Sequence, residues 1–72
     1  MQKWEYQTII AYTNGLFTVG YYVRRINDED VPGDRYALNP YLRQAGQEGW
    51  EVASMSTLGS GTIMIIFKRP IG

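Results

Sequence analysis

The alternation of polar and apolar residues in the first part of the chain is typical of β-strands. In an extended chain, residues 4–13 divide into an aromatic side and a second side that carries Glu5, Gln7, Ile9 and Ala11. Asn14 and Gly15 follow, and this pair favours a two-residue type I′ turn because both positions need positive φ. Residues 16–26 are again rich in β-branched and aromatic side chains. The pattern therefore predicts a β-hairpin.

The predicted turn fixes the register of this hairpin. The pairs that follow from it are Thr13 with Leu16, Tyr12 with Phe17, Ile10 with Val19, Thr8 with Tyr21, Tyr6 with Val23 and Trp4 with Arg25. One face of the hairpin is then almost wholly apolar or aromatic. On the other face the predicted pairs are Glu5 with Arg24 and Ile9 with Gly20. Neighbouring strand residues point to opposite faces, so only one of Arg24 and Arg25 is expected in any one patch.

The middle of the chain predicts a loop followed by one helix. Residues 27–33 are polar and acidic and end in Pro-Gly, which indicates an exposed loop. Asn39 suits an N-cap and Pro40 the first helical position, where a missing N–H breaks no helical bond. The helix is predicted to run to about Glu48, and Gly49 to end it at positive φ. The face that docks on the sheet carries Leu38, Tyr41, Leu42 and Ala45.

Two further strands are predicted after the helix. Residues 50–58 form the third strand, with Trp50 as its first inward anchor, and residues 62–69 form the fourth, which Pro70 ends. The turn over residues 59–61 contains either two or three loop residues, and both registers remain open. Both faces of the fourth strand are apolar, so it is expected inside the sheet. The predicted fold is a single α+β domain over residues 1–72: ββαββ, with a four-stranded antiparallel sheet and one helix on one face.

Composition removes several classes of function. The 72 residues include no Cys and no His, which excludes disulfides, thiolate zinc sites and imidazole ligands. Seven Lys and Arg residues balance seven Asp and Glu residues, so no overall field attracts long nucleic acids or anionic membranes. No apolar run approaches the ~18 residues of a membrane span, and the first residues lack a signal-peptide core. We expect a cytoplasmic protein.

Catalytic and metal-binding chemistry find little support in the sequence. Without Cys or His, a nucleophile would have to be Ser or Thr, and no nucleophile-elbow or phosphate-loop spacing occurs. Asp28, Glu29, Asp30 and Asp34 lack the Gly and terminal Glu of a calcium loop. We therefore expect a non-enzymatic protein with no metal and no cofactor.

Three short motifs resemble a known family. Trp4-Glu5-Tyr6 opens the chain, residues 42–52 contain Glu48-Gly49-Trp50-Glu51, and Phe67-Lys68-Arg69-Pro70 lies near the end. This pattern resembles a small bacterial and phage family known as domain of unknown function 4177. Ala45 and Val52 stand where that family tends to have Leu, which keeps the apolar character. The resemblance implies a compact α+β fold and carries no established activity or catalytic residues.

Arginine and tyrosine residues form the candidate ligand site. Arg forms bidentate bonds to phosphate or carboxylate, and tyrosine rings can stack on a base, so the combination suits a nucleotide-like anion. The helix start, at residues 39–42, is the expected position of the phosphate. The alternative is a set of surface arginines that rest on tyrosines. The candidate residues are Arg24, Arg25, Arg35, Tyr36, Tyr41 and Arg43.

Two classes of function remain open from the sequence. In the first, a homo-oligomer sequesters a small anionic ligand in Arg/Tyr pockets between subunits, and the phage members of the family suggest a sponge for a nucleotide signal. In the second, the domain is a protein-interaction or assembly module that uses an exposed apolar face of its sheet. A single short helix covers only one face of the sheet, so both classes predict association with other chains.

Overall fold

A computed structural model describes residues 1–13, 20–32 and 36–71. The elements are β1 (Lys3–Tyr12), β2 (Tyr22–Ile26), β3 (Glu29–Asp30), α1 (Leu38–Gln47), β4 (Glu51–Gly59) and β5 (Thr62–Ile71). All strand pairs are antiparallel, in the order β3-β2-β1-β5-β4. The predicted α+β class is confirmed, but the described residues form a sheet of five strands rather than four.

The additional strand, β3, lies within the segment predicted as a loop. Asn27 and Asp28 have φ of 50° and 69°, and both residues form a tight turn that reverses the chain after β2. Glu29 and Asp30 then pair with the end of β2 as β3. The prediction that these residues are exposed is correct. The prediction that residues 27–33 lack regular structure is wrong for β3, because the turn returns the chain to bonding distance of β2.

The predicted register of the first hairpin is wrong. The structure pairs Ile9 with Ile26, Ile10 with Arg25, Ala11 with Val23 and Tyr12 with Tyr22. The predicted pairs Thr8–Tyr21, Tyr6–Val23, Trp4–Arg25, Glu5–Arg24 and Ile9–Gly20 therefore do not form. The observed register brings Val23 and Ile26 onto the same face as Ile9 and Ala11, where the helix covers them. The predicted turn at Asn14 and Gly15 and the residues as far as Val19 lie outside the described residues.

The core lies between the helix and one face of the sheet. The buried residues of the described chain are all apolar: Ile9, Ala11, Val23, Ala45, Ile65 and Phe67. Ala45 is the buried residue of α1, and Leu38, Tyr41 and Leu42 pack around it as the sequence predicts. We call this the helix-side face. The opposite, helix-free face carries side chains that include Tyr6, Ile10, Tyr12 and Met64.

The helix begins at Leu38, so the prediction of Asn39 as N-cap is wrong. Ala37 is the N-cap residue and provides no side-chain hydrogen bond. Instead, the N–H of Leu38 donates to the carbonyl of Tyr21, at 2.9 Å. A backbone contact thus satisfies the first donor and removes the need for a side-chain cap. Pro40 is the third helical residue rather than the predicted first, but it still lies in the first turn, where its missing N–H breaks no helical bond.

Gly49 ends the helix at φ +91°, as predicted. A Cβ at Gly49 would approach only Arg69 Cδ, at 4.0 Å, so the backbone conformation alone opposes substitution. Gly49→Ala is expected to lower the free energy of unfolding by about 1 kcal/mol or more. Gly46→Ala, within the helix and with open space around it, is expected to raise it by ~0.5–1 kcal/mol. Urea denaturation that shifts both midpoints in the same direction would contradict this assignment.

The β4–β5 hairpin settles the turn that the sequence left open. Gly59 pairs with Thr62, so Ser60 and Gly61 form a two-residue turn. Trp50 lies just before β4 and is partly buried against the core. The Arg69 guanidinium lies 4.2 Å from the centroid of the Trp50 ring.

The predicted position of β5 inside the sheet is confirmed, but its predicted end is wrong. β5 lies between β1 and β4, and it continues through Pro70 to Ile71. Pro70 pairs with Trp4 of β1, whereas β4 pairs with β5 only as far as Lys68. In the described part of the chain, no strand lies beside Pro70 on the β4 side, so its missing N–H costs no hydrogen bond there.

Candidate anion-binding site

A β-bulge in the β1–β2 pair turns two neighbouring arginines to the same side. Ile10 pairs with Arg25 and Ala11 pairs with Val23, which leaves Arg24 as an extra residue on β2. A bulge residue interrupts the strict alternation of side chains along a strand. Both arginines therefore line one cavity, and the prediction that they point to opposite faces is wrong.

This cavity is an open groove of about 600 Å³ on the helix-free face. Its lining runs across the sheet, from Asp30 at one edge to Leu58 at the other. Tyr12 lies in the middle, and the guanidinium carbon of Arg24 is 4.6 Å from the centroid of its ring. The groove thus combines an aromatic ring with two permanently charged groups, the arrangement expected for an anion that carries an aromatic base.

Asp30 forms an ion pair with one of these arginines. Arg25 Nε donates to Asp30 Oδ1 at 2.7 Å, and both side chains are largely exposed. This hydrogen bond, and then the attraction of the opposite charges, lowers the pKa of Asp30 and raises the pKa of Arg25. Both groups are charged at neutral pH. Asp30 therefore competes with any ligand anion for Arg25, whereas Arg24 rests on a ring.

The predicted tyrosines lie on the opposite side of the sheet. Tyr36 and Tyr41 meet edge to face, with ring centroids 6.1 Å apart, and line a separate cavity of about 440 Å³. Tyr41 also packs at 6.4 Å against Phe67 and accepts a hydrogen bond from Gln7 Nε2 at 2.9 Å. Burial raises the pKa of Tyr41, and the Gln7 bond partly opposes this shift. Tyr41 is therefore held in the core by its ring and its hydroxyl.

Arg43 and Arg35 complete the predicted set. Arg43 lines a third cavity, of about 420 Å³, beside Tyr21 and Tyr22 and next to Asn39 at the helix start. Arg35 lies outside the described residues. Within one chain, the structure brings Arg24 together with Arg25 and Tyr36 together with Tyr41, but it does not unite these pairs with each other or with Arg43.

The helix start offers fewer backbone donors than the sequence suggests. The N–H of Leu38 donates to the carbonyl of Tyr21, and the N–H of Tyr41 donates to the carbonyl of Ala37 at 3.2 Å. Pro40 has no N–H. The groove around Arg24 and Arg25 is therefore the stronger candidate for an anion site.

Comparison with models of known protein families, with curated proteins and with solved structures finds no match to this chain. The resemblance to the domain of unknown function 4177 thus rests on the sequence motifs alone. In the described part of the chain, no group of three or more acidic side chains is placed to hold a metal ion. Among the same residues, no helix is long and apolar enough to cross a membrane.

Proposed function

We propose that this protein is a non-enzymatic, oligomeric binding protein of the cytoplasm that sequesters a small anionic, nucleotide-like ligand. The observation that supports this proposal is the bulge that sets Arg24 and Arg25 on one side, next to the ring of Tyr12. The two guanidinium groups bind the phosphate, and the tyrosine ring stacks on the base.

The energies of the two contacts available to Arg24 favour the ligand. An exposed cation–π contact contributes ~0.5–1 kcal/mol. A hydrogen bond to a charged group contributes ~1.5–3 kcal/mol. In this proposal, Arg24 therefore leaves the Tyr12 ring when a phosphate arrives, and the exposed ring face becomes free for the base.

The side chains that line the groove support binding of the ligand without a chemical reaction. Its polar lining consists of guanidinium, hydroxyl and one paired carboxylate, and no described group there is poised as a nucleophile. Arg35, Tyr36, Tyr41 and Arg43, the other residues predicted for the site, would reach the same ligand only from a neighbouring subunit. The sequence predicts such a pocket between subunits. A pocket of this kind would suit a phage protein that sequesters a nucleotide signal.

Arg24→Ala and Arg25→Ala are each expected to weaken nucleotide binding roughly tenfold or more, because each removes charge-assisted bonds to the phosphate. Asp30→Asn is expected to strengthen binding, since it frees Arg25 and removes a negative charge from the groove. Calorimetry with linear and cyclic nucleotides measures these changes. All three positions are exposed, so thermal midpoints should stay close to that of the wild type.

Two measurements separate the parts of this proposal. Arg43→Ala weakens binding only if a neighbouring subunit contributes to the pocket. Mass spectrometry of small molecules released from the heat-denatured protein tests for a ligand acquired in the cell. If no nucleotide binds, or if binding is indifferent to Arg24 and Arg25, the proposal fails.

The second candidate function is a protein-interaction module on the helix-free face. Trp4 and Tyr6 are 37% and 62% exposed there, and the Lys68 ammonium lies 4.4 Å from the Trp4 ring centroid. Exposed aromatic side chains are typical of interfaces. Loss of a protein partner in Tyr6→Ala but not in Arg24→Ala would favour this function over ligand sequestration.

A further inference from the structure

The two edges of the sheet are built in opposite ways. β3 has two residues, Glu29 and Asp30, and both are charged and exposed. Short, charged edge strands resist pairing with other chains. β4 has nine residues and is exposed along its whole length, and among the described residues it bonds only to β5. Residues 52–59 contain no charge and no proline. One edge is therefore protected, and the other presents a long uncharged row of backbone donors and acceptors.

The side chains of β4 are also incompletely covered. Val52 and Met55 pair with Phe67 and Ile65, which are buried on the helix-side face. Cross-strand partners share a face, so Val52 and Met55 point to the helix side too. They are nevertheless 55% and 65% exposed, because α1 packs over β1, β2 and β5. Beside the helix, β4 thus leaves both backbone groups and apolar side chains open to solvent.

We propose that β4 pairs with β4 of a second copy of this chain, antiparallel across a two-fold axis, to form one continuous sheet. An extended strand is the partner that satisfies a row of free N–H and C=O groups. The strand is suited to pairing with itself, because its one charge, Glu51, lies at an end and falls opposite the uncharged end of the other copy. At ~3.4 Å per residue, β4 offers a contact about 30 Å long.

The bulges of β4 are compatible with this pairing. Its register against β5 shifts near Ala53 and near Leu58, and residues 54–57 between these shifts pair regularly. Met55 is the middle residue of β4, so the axis passes close to it. A two-fold axis perpendicular to the sheet keeps both helices on one side, where the two Met55 side chains meet between them. The two helix-free faces then join into one surface.

Paired charge substitutions test this interface directly. Met55→Lys and Met55→Glu each place like charges close together across the axis, and each is expected to convert a dimer into a monomer in light scattering. An equimolar mixture of the two variants is expected to form a dimer again, because the charges are then opposite. A merely unfolded variant would not be rescued in this way. The mixing experiment contains no nucleotide, so it does not depend on the proposed ligand.

Tyr6→Lys is the matched control. Tyr6 is similarly exposed, but it lies on the helix-free face of β1, which β5 separates from β4. This variant is expected to keep the dimer. Hydrogen exchange provides a second measurement: amides of residues 54–57 should exchange more slowly in the wild type than in Met55→Lys, with β1 and β5 unchanged.

Three results would overturn the proposal. The first is a wild-type mass of 8.3 kDa at micromolar concentration, which would show a monomer. The second is a dimer that persists in Met55→Lys and dissociates in Tyr6→Lys, which would place the interface on the helix-free face. The third is failure of the Met55→Lys and Met55→Glu mixture to associate although both variants remain folded.

Discussion

Phe67→Ala is expected to lower the free energy of unfolding by ~3–5 kcal/mol, the largest effect of any substitution considered. Phe67 is 2% exposed, lies on the interior strand β5 and packs against Tyr41 of the helix. Its removal leaves a cavity where the helix meets the sheet. Domains of this size draw about 3–5 kcal/mol of net stability from their core, so the variant is expected to be largely unfolded at room temperature.

Val52→Ala is the matched control for Phe67→Ala. Val52 is the direct cross-strand partner of Phe67, but it is 55% exposed, so its truncation should cost less than about 1 kcal/mol in the isolated chain. Circular dichroism measures both variants: Phe67→Ala by its signal without denaturant, and Val52→Ala by its transition in urea. Equal losses at the two positions would show that the core does not lie between the helix and β5.

Gly61→Ala is expected to cause the second large loss of stability. Gly61 has φ +74°, and a Cβ there would lie 2.7 Å from the carbonyl oxygen of Thr13. The left-handed conformation alone costs an alanine ~1–2 kcal/mol. The clash adds to this cost because Thr13 is held in place: its N–H donates to the carbonyl of Gly61 at 2.8 Å. The ends of β1 and β5 must therefore separate, and their amide hydrogens should exchange faster.

Comparison with Gly49→Ala isolates the contribution of the clash. Gly49 also has positive φ, but a Cβ there would be 4.0 Å from its nearest neighbour. Gly61→Ala is therefore expected to destabilise more than Gly49→Ala in the same denaturation experiment. If both variants lost the same free energy of unfolding, the contact with Thr13 would not contribute to the effect of Gly61→Ala.

The local features of this fold follow from the sequence, whereas the pairing of β2 does not. Gly49 ends the helix at positive φ as predicted, and the helical spacing of Leu38 and Ala45 identifies the docking face. These features depend on residues close together in the chain. The register of β2 depends on distant partners: the N–H of Val23 donates to the carbonyl of Tyr36 at 2.8 Å. Turn propensity at Asn14 and Gly15 contains no information about such contacts.

The candidate site is predictable in its chemistry but not in its geometry. The sequence identifies Arg24 and Arg25 as candidate anion ligands, yet strand alternation separates them. Only the register shift near Ile10 shows that Arg24 is the extra residue of a bulge. Tyr12 was not among the predicted site residues, because the predicted register pairs it with Phe17, whereas the structure pairs it with Tyr22 and places its ring beside Arg24.

The pairing of β1 with β5 also bears on how the chain folds. These strands pair from Lys3 with Ile71 to Tyr12 with Thr62, so β2, β3, the helix and β4 all lie within the loop that this pairing closes. Closing a long loop lowers the conformational entropy of the chain, and contacts such as that of Ile9 with Ile65 offset this cost only after the loop has closed. Proteins dominated by such distant contacts fold slowly compared with helical bundles. β5 is the last element of the chain to be translated, so the contact of Ile9 with Ile65 cannot form until the other five elements have been made.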